Sequence, residues 1–265
     1  MADFTPPPAS TFGAGGSSKP PAWPPGGRSV DAGQGVAWWV GGWRLFTASP
    51  LMFVAVVVLF LVCLAALSVL PVVGSIASTL LAPVFTGGLL VGCRALARGG
   101  ELTVGHLFGG FSDRLGPLIV LGLFYLIGSA VIFFVFAGLL VGAVGMSGIT
   151  ALLTGDALQA GVAMLATLGI GALIASLLAA LLGIPLLMAF WFAPALVALR
   201  GDEPFAAIKT SFGACLSNML PFLVYGLIGL GFAILASIPL GLGWLVLAPV
   251  SIASIYTSYQ DIFGD

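Results

Sequence analysis

Long apolar runs separated by short polar or proline-containing connections dominate this sequence. The first covers residues 51–70, which follow Pro50 and contain no charged side chain. Because a helix rises about 1.5 Å per residue, a run of this length crosses a hydrocarbon core of roughly 30 Å. Similar runs recur along the chain. The pattern therefore predicts an all-α fold, a polytopic membrane helix bundle.

The charged residues between the runs set the number of spans. Residues 160–199 contain no charge and form either one long, kinked helix or two spans. A single crossing here places all 8 Lys and Arg residues on one side, which is the positive-inside pattern of the cytoplasmic face. We therefore predict six spans with both termini cytoplasmic, and seven spans is the alternative. The predicted spans are 51–70, 75–93, 118–141, 174–199, 222–238 and 244–259.

The segment before the first span differs in composition from the rest of the chain. Residues 1–34 are rich in Pro, Gly and Ser and have no apolar stretch typical of a secretory signal. We predict a disordered cytoplasmic tail over 1–34 and an integral membrane domain over 35–265.

The overall composition excludes two classes of protein. The chain is 60% hydrophobic and only 6% charged, whereas soluble domains carry about 25% charged residues. The net charge of −1, without a cluster of Lys or Arg, argues against a nucleic-acid-binding protein. Membrane lipids are therefore the predicted surroundings.

An Ala-Pro element recurs three times, each time after an earlier proline and a short apolar stretch. It occurs in LPVVGSIASTLLAPV (70–84), IPLLMAFWFAPAL (184–196) and IPLGLGWLVLAPV (238–250). Interior prolines are costly in helices, so this recurrence indicates internal repeats. We predict helix kinks at Pro83, Pro194 and Pro249.

A second recurring element precedes three of the spans. Ahead of Pro50, Pro117 and Pro221, apolar residues fall at helical spacing on one face. We interpret these segments as amphipathic helices in the membrane plane rather than as soluble loop helices. The aromatic residues assigned to the membrane interface are Trp38, Trp39, Trp43, Phe108, Phe111 and Phe212.

Groups that carry chemistry are sparse. No predicted span has an Asp, Glu, Lys, Arg or His near its middle, which argues against ion-coupled transport, proton relays and voltage sensing. The single histidine, His106, lacks a paired nucleophile, and Cys63, Cys93 and Cys215 match no metal or redox motif. We predict no enzyme activity, no metal and no cofactor.

Four arginines near the predicted cytoplasmic surface are candidate contacts for anionic lipid headgroups. Determination of topology alone explains them equally well. They are Arg94, Arg98, Arg114 and Arg200.

Several stretches carry a family resemblance: GWRLFTASP, LLAPVFTGGLLVGCRALARGGELTVGHLFGGF, LMAFWFAPALVAL, NMLPFLVYGLIGLGF and SIYTSYQDIFG. In these the chain resembles an uncharacterised family of proteobacterial six-span inner-membrane proteins, over about residues 35–264. More distantly it is similar to the membrane domains that adjoin glycerophosphodiester phosphodiesterases, but no phosphodiesterase domain is attached here. The resemblance implies a bacterial cytoplasmic membrane location and supports six spans.

Three functional hypotheses follow. The first is a non-catalytic membrane protein that organises or regulates partners, including an unidentified membrane-protein partner. The alternative is a passive carrier or channel for a lipidic or weakly polar solute, for which a cavity between the Ala-Pro kinks would be a sign. An intramembrane enzyme is third, because catalytic groups are lacking.

Overall fold

The computed structural model describes residues 26–112, 114–154 and 157–264. Most of the predicted tail and Asp156 lie outside these residues. Within them the chain forms ten α-helices, with a 3-10 turn (Gly109–Phe111) after α4 and a π-helical stretch (Leu196–Arg200) after α7. The helices are α1 (Gln34–Ala48), α2 (Pro50–Ser68), α3 (Pro71–Ala97), α4 (Val104–Leu107), α5 (Leu115–Thr154), α6 (Ala157–Trp191), α7 (Ala193–Ala195), α8 (Pro204–Ser217), α9 (Met219–Ser237) and α10 (Trp244–Phe263).

Five helices of the described residues are long and apolar enough to cross a membrane: α2, α3, α5, α6 with the turns that follow it, and α9. The prediction of a helical membrane bundle is confirmed to this extent. α10 is about as long as α9, but serine, threonine and tyrosine dilute its apolar residues. Gly243 lies against Ala236, so α10 turns back along α9. The sixth span stays a prediction.

The uncharged region before Arg200 forms one long helix and not two spans. α6 runs without interruption from Ala157 to Trp191. It then passes through α7 and the π-helical stretch to Gly201, whose φ of 77° lies in the left-handed region. A glycine accepts this conformation without strain and ends the helix.

α5 and α6 form an antiparallel hairpin much longer than a membrane span. They contain 40 and 35 residues and measure about 60 and 52 Å, against a hydrocarbon core of roughly 30 Å. Gly171 lies against Ala143, and Gly128 lies against Leu186, so the helices stay paired along their length. The prediction ended the third span at residue 141, but the helix continues to Thr154.

The far part of this hairpin extends beyond the neighbouring helices. Gly122 of α5 lies against Leu80 of α3, and Pro71, where α3 begins, is about 14 Å beyond Leu80. The same level on α5 falls near Val131. From there to Thr154 the helix continues for about 35 Å.

We call residues 132–154 and 157–182 the arm. The arm carries large apolar side chains that no other part of the described chain covers. Phe133 is 63% exposed, Leu153 81% and Leu158 78%. Lipid or another protein must therefore surround most of this surface.

α10 lies at the centre of the bundle, where it packs against α1, α2, α3 and α9. Tyr256 and Tyr259 are fully buried. Ser254 shares a hydrogen bond of 2.7 Å with the hydroxyl of Tyr225 on α9. These polar residues of α10 thus face protein, which accounts for part of its lower hydropathy.

α1 packs into the bundle and buries two of its three tryptophans, Trp38 and Trp39, against other helices. Trp39 stacks on Tyr225 with ring centroids 4.7 Å apart, and its Nε1 donates to the Tyr225 carbonyl at 3.0 Å. Trp38 Nε1 donates to the Asp261 carboxylate at 3.0 Å. Trp38 is only 2% exposed and Trp39 only 6%. Partners on α9 and α10 therefore bury Trp38 and Trp39, and their position at the membrane interface stays a prediction.

The end of the predicted tail also belongs to the bundle. The Arg28 backbone N–H donates to the Ile262 carbonyl at 2.9 Å, and the Arg28 side chain pairs with Asp261. The Val30 N–H donates to the Asn218 side chain at 2.8 Å. The described part of the predicted tail is thus anchored by backbone hydrogen bonds.

The three prolines of the Ala-Pro elements behave differently. The helical run is interrupted at Phe192, between α6 and α7, two residues before Pro194. Pro83 and Pro249 lie inside α3 and α10, which continue without a break. Kinks at these two positions, and the internal repeats, stay predictions.

Candidate functional site

The interruption at Phe192 is stabilised by a serine from another helix. In an unbroken helix the Phe192 N–H would donate to the Met188 carbonyl. Here it donates to Ser211 Oγ on α8 at 2.9 Å, and that hydroxyl donates to the Met188 carbonyl at 2.7 Å. Ser211 is fully buried. The hydroxyl thus takes the place of one backbone hydrogen bond of the helix and pairs with both the N–H and the carbonyl.

A cavity of about 330 Å³ lies between two of the Ala-Pro elements. Ala82 and Pro83 of α3 form one side, and Pro194 of α7 forms part of another. Pro83 is near the middle of α3, about 18 Å from its first residue. We call this space the midplane cavity. The prolines leave the carbonyls of Thr79 and Phe190 without their usual helical donors.

Three hydrogen-bonding groups line the midplane cavity: Thr86 of α3, Tyr125 of α5 and Trp191 of α6. Within the described part of the chain, neither hydroxyl has a hydrogen-bond partner. The Trp191 Nε1 is buried and has no hydrogen-bond partner among the described residues. Since buried polar groups are normally paired, the buried Trp191 Nε1 distinguishes this cavity from ordinary gaps between helices, and the more exposed hydroxyls of Thr86 and Tyr125 add hydrogen-bonding capacity to it.

The remaining lining of the midplane cavity is apolar, with Leu187, Phe190 and Ile255 among its members. No Asp, Glu, Lys, Arg or His is among the described residues that line it. A charged solute would lose its hydration here without gaining a counterion. The arrangement can therefore bind an uncharged molecule through a few oxygen or nitrogen atoms.

A second cavity, which we call the α6–α9 cleft, has a volume of about 440 Å³. Leu187, Met188 and Trp191 form the α6 side, and Met219 and Leu223 belong to the α9 side. Leu187 and Trp191 line both cavities. They therefore form the wall between the cleft and the midplane cavity.

Three of the four predicted lipid-headgroup arginines come together around one turn at the end of the π-helical stretch. Arg94 Nη1 donates to the Leu199 carbonyl at 3.0 Å, and the Arg114 guanidinium lies against Gly201. Arg200 pairs with Asp202 at 3.3 Å. These contacts give three of the arginines structural partners, and headgroup contact stays a prediction. The fourth, Arg98, is the C-cap residue of α3.

The other predicted interface aromatics are more exposed than the two buried tryptophans. Trp43 is 50% exposed, Phe108 43% and Phe212 37%. Phe111 is half-buried, with its ring centroid 5.2 Å from that of Phe85. Their contact with the membrane interface is untested.

His106 serves as part of a helix cap. Its Nδ1 accepts the Thr103 backbone N–H at 3.0 Å, at the start of α4. The described residues contain no cluster of His, Cys, Asp or Glu that could hold a metal ion.

One relative places the chain among membrane proteins. A Burkholderia thailandensis protein named "Probable inner membrane protein" is 32% identical to this chain over an alignment of 263 positions, and the aligned part covers 89% of this chain and 93% of the relative. The chain belongs to the same family as that protein. No family model matches the chain, and no solved structure matches it.

The name of this relative supports the predicted resemblance to inner-membrane proteins. It provides no evidence on the likeness to domains that adjoin phosphodiesterases. This relationship and the five apolar helices together indicate that membrane lipids surround the protein.

Sequence reasoning identified the prolines of the midplane cavity but missed Thr86, Trp191 and Ser211. Thr86 lies one turn beyond Pro83, and Trp191 lies one turn before Pro194. A polar or aromatic residue one turn from each interior proline is a signal that could have found the first two. Ser211 carries no such signal, because its partners belong to another helix.

Proposed function

We propose that this chain is a non-catalytic membrane protein that binds an uncharged lipidic or weakly polar solute in the midplane cavity and carries it passively across the membrane. The cavity supports this role because two Ala-Pro elements meet there beside three unpaired hydrogen-bonding groups. Carriers commonly bind their solutes near the bilayer midplane, where helices are interrupted. This was the alternative at the level of the sequence, and the geometry favours it.

The proposal includes a location and an orientation. We place the protein in the bacterial cytoplasmic membrane, with six spans and both termini in the cytoplasm. The relative's name supports the location, and the one-sided distribution of Lys and Arg supports the orientation.

The first test is retention of a solute by the purified protein in native lipid discs, followed by mass spectrometry of small molecules. We expect Thr86→Val and Tyr125→Phe to lose the retained molecule. Thr79→Val is the matched control, because Thr79 lies on the same helix and donates to the Ser75 carbonyl at 2.8 Å. Equal retention by all variants would contradict the proposal.

Carriage needs a separate measurement. The retained molecule is loaded into liposomes that contain the protein, and its exit is followed over time. We expect exit to slow in Pro83→Ala, since restoring the helical donor closes the space beside the Thr79 carbonyl. If the solute binds but leaves these liposomes no faster than it leaves protein-free liposomes, the protein binds the solute without carrying it across the membrane.

A second candidate function, the organisation of membrane partners, is favoured by the arm. On its outer face Gly138, Gly142 and Gly145 have no atom near the position of a Cβ. They recur at helical spacing on the side of α5 away from Ala143, which contacts α6. Such small residues allow close helix packing in membranes.

This candidate is tested by shortening the arm. Residues 143–171 are replaced by a short Gly/Asn turn, since Ala143 and Gly171 face each other in the hairpin. We expect a stoichiometric protein partner, stabilised by cross-linking in cells, to be lost while solute retention is unchanged. An intact set of partners after shortening excludes the removed residues, Gly145 among them, as the organising surface.

A further inference from the structure

Trp191 separates two spaces of different polarity. On one side, the midplane cavity offers the hydroxyls of Thr86 and Tyr125. On the other, the α6–α9 cleft has an almost entirely apolar wall. Tyr225 lines that cleft, but its hydroxyl already shares a hydrogen bond with Ser254 at 2.7 Å. The cleft is therefore suited to hydrocarbon and the midplane cavity to oxygen atoms.

The cleft can also accommodate a hydrocarbon chain in more than one position. Met188 and Met219 lie in its opposing walls, and methionine side chains adapt to irregular apolar partners. Both cavities are within the range of roughly 300–1,000 Å³ found for small-molecule sites.

The indole of Trp191 stands edge-on to its neighbours in the cleft. Its centroid lies 5.6 Å from that of Phe222 at an interplanar angle of 82°, and 5.8 Å from that of Tyr225 at 86°. In this position the Nε1 is closed off and has no hydrogen-bond partner among the described residues. A buried donor without a partner is unfavourable, so turning the ring toward an acceptor would stabilise it.

We infer that the α6–α9 cleft and the midplane cavity form one site for an uncharged lipid ester, with the hydrocarbon chain in the cleft and the ester carbonyl accepting a hydrogen bond from Trp191 Nε1. The inference rests on the proposed solute site and names the chemical class of the solute. A free acid is disfavoured because no cationic side chain lines either cavity among the described residues. A plain alkane would leave the indole donor unpaired.

The test compares two photoactivatable probes in phosphatidylcholine discs. One is a long-chain fatty acid methyl ester with a diazirine at the end of its chain, and the other is the alkane of the same length. Illumination and peptide mapping locate the labelled residues. We expect the ester to label Met188 and Leu223 roughly five-fold more than the alkane does, the gain typical of one neutral hydrogen bond.

Trp191→Phe keeps an aromatic ring and removes only the donor. We expect it to reduce ester labelling to the level of the alkane and to leave alkane labelling unchanged. Trp43→Phe is the matched control, because Trp43 is half-exposed and outside both cavities. A thermal unfolding curve verifies that each variant is folded.

The outcomes separate this inference from the proposed function. Equal ester labelling in wild type and Trp191→Phe overturns the inference, as does labelling confined to the arm. If Thr86→Val abolishes solute retention but Trp191→Phe has no effect on the ester, the solute site stands and the role of Trp191 is wrong. If ester labelling depends on Trp191 but solute retention does not depend on Thr86, the cleft binds a lipid and the midplane carrier is excluded.

Discussion

At the scale of single residues, the hydroxyl of Ser211 has the most demanding role. It accepts the Phe192 N–H and donates to the Met188 carbonyl inside the protein. Ser211→Ala would leave both backbone groups buried and unpaired, so we expect a loss of roughly 2–4 kcal/mol in unfolding free energy. Thermal unfolding in mild detergent measures the effect.

The control for this change is Ser217→Ala on the same helix. The Ser217 hydroxyl is exposed and donates to the Gly213 carbonyl at 2.9 Å. We expect its removal to change stability by no more than about 0.5 kcal/mol. Similar losses in both variants would mean that the inserted hydroxyl does not hold the interruption together.

Cys215, one turn from Ser211 on α8, predicts a dependence of stability on pH. Burial raises the pKa of the Cys215 thiol to about 12, and a hydrogen bond with Ser211 lowers it by a smaller amount. The folded state holds this proton more tightly than the unfolded chain, whose thiol titrates near its ordinary value of 9.0. The stabilisation is therefore complete below pH 9 and is lost as pH rises toward 12.

We expect Cys215→Ala to remove part of the decline in unfolding temperature above pH 9. Below that pH, the difference between the variant and wild type should stay constant. Parallel curves for both proteins up to pH 11 would show that the thiol makes no contribution.

Residue-level prediction from the sequence was accurate where a local rule applied and missed contacts with distant partners. The interior prolines were visible because proline has a fixed local effect on a helix. Trp38 was assigned to the membrane interface because indoles favour that position. Its partner Asp261 is 223 positions away in the chain, and no local pattern reveals such a contact.

At the scale of elements, the arm makes a topological prediction. In a variant with all three native cysteines replaced by alanine, we introduce Leu153→Cys near the end of α5 or Ala206→Cys on α8. Both sites are exposed. A membrane-impermeant maleimide added to spheroplasts should label the first and not the second, because an odd number of crossings separates them.

Labelling at both positions would contradict the six-span arrangement. Labelling at neither position would mean that a partner or the membrane covers the end of the arm. A fully permeable maleimide, added to lysed cells, confirms that each introduced cysteine is reactive.

The helices themselves were largely predictable from apolar runs, but the arm was not. We ended the third span at residue 141 because a bilayer needs only about 20 helical residues. Nothing in the residues after 141 stops the helix, and its pairing with α6 extends it. The length of a helical hairpin depends on both of its helices, as the contact of Ala143 with Gly171 illustrates. A rule for single spans therefore underestimates the length of each helix.

At the scale of the whole molecule, the docking of α1 joins the two ends of the described chain. A Cβ at Gly35 would lie against the backbone of Pro221 and Tyr225, whereas Gly33 has open space around it. We expect Gly35→Ala to lower the unfolding free energy by roughly 1–3 kcal/mol. Gly33→Ala, the matched control, should leave it nearly unchanged.

Differential scanning fluorimetry of the two variants in the same detergent makes the comparison. Equal unfolding temperatures would mean that α1 is held by its tryptophans alone and tolerates a shift along α9.

The contact between α1 and α10 also constrains how the protein is made. Ribosomes add about 5–20 residues per second, and roughly two hundred residues separate these helices. During a delay of roughly 10–40 s, Trp38 has no access to Asp261, and α1 must wait in the membrane or at its surface. A ribosome that stalls before α10 therefore leaves an exposed, incomplete bundle, which quality-control proteases can recognise. Assembly of the described bundle is therefore completed only when α10 has been made.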